Sequence, residues 1–491
     1  MKKTILVLVV LALLAPTAAL AATEFSLGGF INNDMIWDST QNPRINAFVI
    51  GRNNDQLYHH GHFLESAQAS RFNFTIKGPK LWGATTTGLI ELDFEGSLDA
   101  RVSSTQSYAP RLRHAMFRLN WPETELMFGQ YWGMLAEFLP EVTSEAVYLN
   151  HGAAFQRVPQ IRLTQKFLGD WTVAGAICKP YDPSTADANF ETTAAGSNAA
   201  INPGQVQYTG VTGGNVWPGQ NAESPQLQGK LAYEKDLWGK APFYGRPRGF
   251  VAQLNGAWQR TRYHNNQTAT ALNTFGQNAF GSTTVLQGSG QTLNNWVAQG
   301  TLFIPVIPTY SNNLAGTASL NPVLWIGQGA NFLGLTRDED NSWFNFSGIR
   351  SNGSLVYNRE LMKQWGGTIQ AQYYFTNQWY LSGVFGGYRN YGIDQSQSAL
   401  LAGRAGNPAG YQYASNNDQA KLWTEANVIL WYRPIEALKF GLSYSYERTD
   451  YLQKLNNPQN ATLNVNGGQN SAGAKDVGES HRLMFQAIMY Y

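Results

Sequence analysis

Leu438-Lys-Phe-Gly-Leu-Ser-Tyr-Ser-Tyr446 alternates with a period of two. Leu438, Phe440, Leu442, Tyr444 and Tyr446 share one parity, and Lys439, Gly441, Ser443, Ser445 and Glu447 the other. Successive side chains of an extended strand point to opposite faces, so this segment is a strand with one apolar, aromatic face and one polar face. A helix would need its apolar positions three and four residues apart, and they are not. A face this aromatic is costly in water, and it fits a strand with hydrocarbon on one side and water on the other.

The pattern recurs along the chain. In Gln364 to Phe375, Trp365, Gly367, Ile369, Ala371, Tyr373 and Phe375 oppose Gln364, Thr368, Gln370, Gln372 and Tyr374. After a tight Thr376-Asn377-Gln378 turn the chain returns with Trp379, Leu381, Gly383 and Phe385 on the apolar parity, and Tyr380, Ser382 and Tyr388 on the other. The aromatics at this turn read as an interfacial girdle. Further strands are expected at 25–37, 70–78, 83–95, 111–121, 125–133, 156–167, 171–179, 226–234, 249–261, 295–305, 320–332, 421–432 and 480–491. With the first three they make about 16. Long polar stretches (38–69, 180–225, 263–294, 333–363, 389–420, 450–479) follow odd-numbered strands, whereas most even-numbered strands end in short turns. That asymmetry predicts an all-β transmembrane antiparallel barrel with short periplasmic turns and long outer loops.

The N-terminus runs Met1-Lys2-Lys3, then apolar from Ile5 to Leu14, then Pro16 and Ala18-Ala19-Leu20-Ala21-Ala22. This is the order of a secretory signal with an Ala-x-Ala cut after Ala21. Residues 1–21 are expected to be a signal peptide and 22–491 the barrel. Aromatics are 13% of the chain, charged residues 14%, and glycines number 49, a composition favouring strands and turns over helices. The single cysteine, Cys178, has no internal disulfide partner. A net charge of +2 gives no ground for a nucleic-acid partner.

Charged side chains on the inward parity of a wet barrel set what passes it. Arg71, Asn73, Thr75 and Lys77 oppose Phe72, Phe74 and Ile76; Glu91, Asp93 and Glu95 oppose Ile90, Leu92 and Phe94; Gln160, Arg162, Thr164 and Lys166 oppose Ile161, Leu163 and Phe167. Two basic strands and one acidic strand therefore face inward. Arg111 and Arg113 share parity with Ala115, Phe117, Leu119 and Trp121, so either a bulge switches faces and places both arginines in the lumen, or they lie at the outer rim. The connection 134–155 carries Glu137, Glu141 and Glu145 among Phe138, Leu139 and Val142. It is too apolar for a solvated outer loop and is expected to fold into the barrel as a constriction, with its carboxylates facing Arg71 and Arg162 across the pore.

Other motifs carry less. His59, His60 and His62 have no carboxylate set beside them and read as solvated loop residues, so no metal is expected. No nucleophile elbow, phosphate-binding loop or cofactor motif is present. The spacing of Glu91 and Asp93 would suit acid/base work, yet a carboxylate-lined water channel explains it without catalysis. Two alternatives remain: a barrel sheathing an electron-transfer partner, and an outer-membrane enzyme.

Ser70-Arg71-Phe72 with Lys77-Gly78, Arg111-Leu-Arg-His-Ala115, Phe128-Gly-Gln-Tyr-Trp132 and Arg157-Val-Pro-Gln-Ile-Arg162 resemble the DcaP-like porins, trimeric 16-stranded channels of the general-porin superfamily. The stretch that carries these motifs, Ser70 to Phe167, is about a fifth of the chain, and the N-terminal helical extension of some such porins is not evident in it. The resemblance implies a homotrimer in the outer membrane, in contact with lipid and lipopolysaccharide. It also implies passive diffusion of small anionic solutes past Arg71, Arg113 and Arg162. Glu91, Asp93 and Glu95 stand against a simple anion selector. The terminal parity Leu483, Phe485, Ala487, Met489 and Tyr491 resembles the signal read by the outer-membrane assembly machinery, with Tyr in place of the usual Phe.

Overall fold

The computed structural model describes residues 23–40, 60–96, 109–143, 152–181, 224–263, 291–336, 342–349, 355–392, 420–451 and 477–491, with Ala222 and the short pairing of 267–268 with 285–286. The signal peptide proposed for residues 1–21, Glu145 and His59 lie outside them.

The barrel strands are β1 (Glu24–Asp38), β2 (two pieces, His62–Ser66 and Arg71–Leu81), β3 (Ala84–Gly96), β4 (Ala109–Asn120), β5 (Thr124–Trp132), β6 (Arg157–Phe167), β7 (Trp171–Cys178) and β8 (Gln226–Lys235). They continue as β9 (Phe250–Tyr263), β10 (Gln291–Ile307), β11 (Ala318–Gln328), β12 (Lys363–Tyr374), β13 (Trp379–Tyr391), β14 (Ala420–Ile435), β15 (Leu438–Tyr451) and β16 (Val477–Tyr490). The sheet holds 17 extended segments; because both pieces of β2 pair with β1, they occupy 16 positions. Neighbours pair antiparallel, and β16 returns to β1, from Phe30 opposite Tyr490 to Asp38 opposite Arg482. Closure pairs the first strand with the last, as a spanning sheet requires. Among the described residues no helix is long and apolar enough to cross a membrane.

Local chemistry sets the turns. Trp82-Gly83 and Leu168-Gly169 hold both residues at positive φ (51° and 80°, 51° and 75°), the conformation that joins twisted strands in two residues. The alternation read in the sequence is present in the wall: in β12, Trp365, Ile369 and Tyr373 are exposed outward while Gln364, Thr368, Gln370 and Gln372 are buried inward. At the short-turn end the outward aromatics form lateral rows, with Trp379 on Tyr432 (4.2 Å), Tyr432 on Phe440 (6.3 Å) and Phe440 on Phe485 (6.3 Å). Such rows mark a membrane interface.

Besides the short pairing of 267–268 with 285–286, two further stretches read as loops contain strands. His62–Ser66 pairs with Asp34–Asp38 of β1, and Ser342–Ile349 pairs with Leu355–Leu361 in a hairpin outside the barrel sheet. The first was hidden because the polar break Ala67-Gln-Ala-Ser70 cuts β2 below the length at which alternation is visible.

Candidate functional site

The chain leaves β5 and, instead of crossing to the outer surface, turns inward through a 3-10 turn at Met134–Ala136. Met134, Leu135, Ala136, Phe138 and Leu139 are buried inside the barrel. Successive polar atoms tie the segment to the inner wall. Gln228 Oε1 accepts from Met134 N (2.8 Å), Gln299 donates to Leu135 O (3.0 Å), and Lys230 donates to Glu137 (2.9 Å). Phe138 packs with Val251, Phe303 and Val323 on β9 to β11. Glu141 then enters a closed polar cage. It accepts from Gln372 (2.7 Å) and the Tyr380 hydroxyl (2.9 Å), pairs with Lys439, and Gln370 holds its carbonyl (3.2 Å). Thr143 bonds Ser443 (2.8 Å), and its carbonyl accepts from Gln486 (2.7 Å). The described part of the loop thus runs along the inner wall from β8 to β16. On its return limb, Trp325 donates to Gly152 O (2.6 Å). Gly152 has φ 63°, and a Cβ there would lie 2.4 Å from Gly387 O, so only glycine fits between the limb and β13.

The opposite wall is basic. Arg118 on β4 and Arg162 on β6 both pair with Met127 of β5, so their guanidinium groups flank one strand. They lie 4.7 Å and 5.7 Å from the Tyr131 ring and share Glu125 at 3.4 Å and 3.3 Å. Arg71, Lys166 and Lys230 complete this side of a cavity of about 720 Å³, closed on the far side by Glu137, Leu139 and Tyr244. Lys77, at the other end of its strand, is largely exposed and pairs with Glu24 (3.3 Å).

A β-bulge fixes the arginines whose register was ambiguous. Glu91 pairs with His114 and Leu92 with Leu112, leaving Arg113 as the extra residue. Both Arg111 and Arg113 consequently turn inward while Leu112 and Phe117 stay outward. Arg111 contacts Asp93 (2.6 Å) and Glu95 (2.5 Å); Arg113 contacts Asp93 (2.6 Å) and Glu91 (2.8 Å). Each of the three carboxylates of β3 is thereby paired with an arginine of β4.

One expectation is corrected: Glu141 does not face Arg71 and Arg162. A carboxylate buried at 4% exposure needs its own cation, and Lys439 on the far wall supplies it. Glu137 does line the cavity with Arg71 and Arg162, but is held by Lys230. The sequence reading missed Arg118, Lys230 and Tyr244. Alternation of Phe117 and Leu119 around Arg118, and of Leu227 and Leu231 around Lys230, would have placed two of them inward. Tyr244 sits in a turn, where no periodicity exists. His62 lies 3.8 Å from Asp38, and among the described residues no three His, Cys, Asp or Glu side chains group to hold a metal ion.

A closed sixteen-stranded barrel with an apolar, aromatic outside, a polar inside and one loop folded into its lumen is a porin-type fold. Among solved structures, the outer membrane channel DcaP of Acinetobacter baumannii matches with a TM-score of 0.58 at 15% identity, over 97% of this chain and 100% of that one. An anion-selective porin from Comamonas acidovorans matches with TM-score 0.49 at 9% identity, over 96% and 100%. The trimer form of OmpT, an outer membrane protein of Vibrio cholerae, matches with TM-score 0.47 at 9% identity over the same shares. No protein-family model matches the chain, and no curated protein does. The fold is that of DcaP-like outer-membrane porins over nearly the whole chain.

Proposed function

We propose that this chain is an outer-membrane porin of a Gram-negative bacterium through which small hydrophilic solutes, anions in preference, diffuse passively. One observation carries the reading: the cavity between the inward loop and the β2 to β8 wall has more positive than negative charge. Arg71, Arg118, Arg162, Lys166 and Lys230 line it against Glu123, Glu125, Glu137 and Glu234, and Glu234 is engaged by Arg248 outside that set. In a narrow, low-dielectric slot such an excess attracts anions and repels cations. The pairing of Glu91, Asp93 and Glu95 with Arg111 and Arg113 weakens the objection that these residues raise against anion preference.

The alternatives fit less well. A sheath must leave its lumen free for the partner, whereas here a loop bonded along the inner wall takes up part of it. Acid/base work needs carboxylates able to exchange protons, whereas Glu91 and Asp93 are held by Arg113. In a planar bilayer with a salt gradient, the purified protein is expected to conduct in discrete steps with a reversal potential of anion sign. A cation sign would refute the preference, and absence of conductance would refute the channel.

A homotrimer is part of this proposal. The outward belt carries polar groups together on β1, β2 and β5: Asn33 donates to the exposed Glu65 (3.1 Å), and Gln130 donates to the Leu112 and Arg113 carbonyls (2.9 Å and 3.0 Å). β2 breaks between Ser66 and Arg71 in the same region. Irregular backbone and a carboxylate are disfavoured against lipid but tolerated against protein, which supports a second copy covering this face. Light scattering in detergent is expected to find three chains per particle, and fewer for Glu65→Arg; three in both would place the contact elsewhere. Lipid and lipopolysaccharide would meet the remaining belt and outer rim. Tyr491, whose hydroxyl bonds Arg71 O (3.1 Å), would be the residue read by the assembly machinery before closure.

A further inference from the structure

The connection between β8 and β9 is longer than closure requires. Lys235 already pairs with Phe250, yet 14 residues, 236–249, lie between them. They do not hang free on the short-turn side. Ala241–Phe243 and Arg246–Arg248 form a small hairpin whose tip, Tyr244-Gly245, holds φ 51° and 74°. The hairpin is anchored at its base by Lys240 and Thr309, which exchange backbone bonds (2.8 Å and 2.7 Å). It then turns into the barrel. Ala241 is fully buried, Ser319 donates to Pro242 O (2.8 Å), and Phe243 packs on Phe303 (5.5 Å) and on Phe138 of the inward loop (5.3 Å).

Its tip meets the loop from below. The Tyr244 hydroxyl donates to Leu139 O (3.0 Å) and Pro140 O (3.1 Å), and the Arg248 guanidinium lies 4.5 Å from the Phe138 ring while chelating Glu234 (3.1 Å and 3.0 Å). A Cβ on Gly245 would lie 3.4 Å from Arg433 and 3.8 Å from the Tyr374 hydroxyl, so the hairpin reaches from β8 and β9 toward β12 and β14. The Tyr244 side chain lines the same cavity as Arg118, Arg162 and Lys230.

We propose that this hairpin is a second constriction element. Lys240–Arg248 narrows the lumen from the periplasmic side and props the loop at Leu139–Pro140, and Tyr244 is a specificity-determining residue that sets the width of the path beside the basic wall. The inference rests on the channel reading and adds a part to it. Solutes that pass the loop must then pass the phenol ring, so the barrel selects by size at two levels rather than one.

The test replaces residues 240–248 by Asn-Gly and, separately, makes Tyr244→Ala and Tyr244→Phe, each compared with the parent in planar bilayers. The hairpin-less barrel is expected to conduct about twofold more, with a weaker ion preference, because a narrower slot both resists flow and focuses charge. Tyr244→Ala, which leaves the hairpin and its anchors in place, is expected to raise conductance and the noise of the open state. Tyr244→Phe, which loses only the two hydrogen bonds, is expected to add noise with little change in mean conductance. Should deletion block assembly, judged by heat-modifiable mobility on gels, Tyr244→Ala decides alone. A conducting parent whose hairpin-less or Tyr244→Ala forms keep its conductance and reversal potential overturns the inference and spares the channel. A parent that does not conduct overturns both.

Discussion

Arg118→Glu together with Arg162→Glu is expected to turn the reversal potential in a salt gradient from anion to cation sign. The two guanidinium groups flank Tyr131 and share one carboxylate, Glu125, so they leave the wall with one positive charge in excess at this level. Their exchange would leave three carboxylates there instead. Each reversal changes the interaction with a passing monovalent ion by about 1 kcal/mol or more at contact distance even in bulk water, so the permeability ratio should move by a factor of ten or more. The neutral pair Arg118→Gln with Arg162→Gln should give a value between the two, which separates charge from any change of shape. Lys77→Glu supplies the control. Its side chain is 66% exposed and its ammonium is paired with Glu24, where salt screens it, and little change is expected. An unaltered potential in the double glutamate variant would mean that the basic wall does not set the preference.

Arg113→Ala is expected to cost about 3 kcal/mol of barrel stability, read as a lower urea midpoint in detergent. Arg113 is fully buried and binds both Asp93 and Glu91, while Asp93 and Glu95 also share Arg111. Its removal takes away the guanidinium that binds both Glu91 and Asp93, and a buried carboxylate that loses its partner is the costly outcome. Arg113→Lys should recover only part of the loss, since an ammonium cannot hold two carboxylates in the planar geometry of a guanidinium. A midpoint unchanged in Arg113→Ala would show that the network is a solvated decoration of the wall.

The architecture was legible because a membrane barrel writes its fold in a two-residue period. Segments such as 438–446 and 364–375 met hydrocarbon on one side and water on the other; the first lies inside β15 and the second matches β12 except for Phe375. The period fails where the backbone departs from regular pleating. The bulge at Arg113 shifts the parity of β4 midway, and the break at Ala67–Ser70 hid the first piece of β2. The inward course of the loop was legible from Phe138, Leu139 and Val142, since apolar residues need something to pack on. The partner of Glu141 was not, because Lys439 lies 298 positions away and only the closed barrel brings the two together. Tyr244 was missed for a related reason: a turn that folds inward has the composition of one that does not.

In the proposed function, water-soluble solutes pass through this lumen without a partner and without energy. The decisive assay is the swelling of liposomes reconstituted with the purified protein, using uncharged sugars of increasing size under osmotic imbalance. Swelling with small sugars is expected, at a rate that falls steeply as sugar size approaches the width between loop and wall. Proteoliposomes that contain folded barrel yet swell no faster than protein-free vesicles would contradict it.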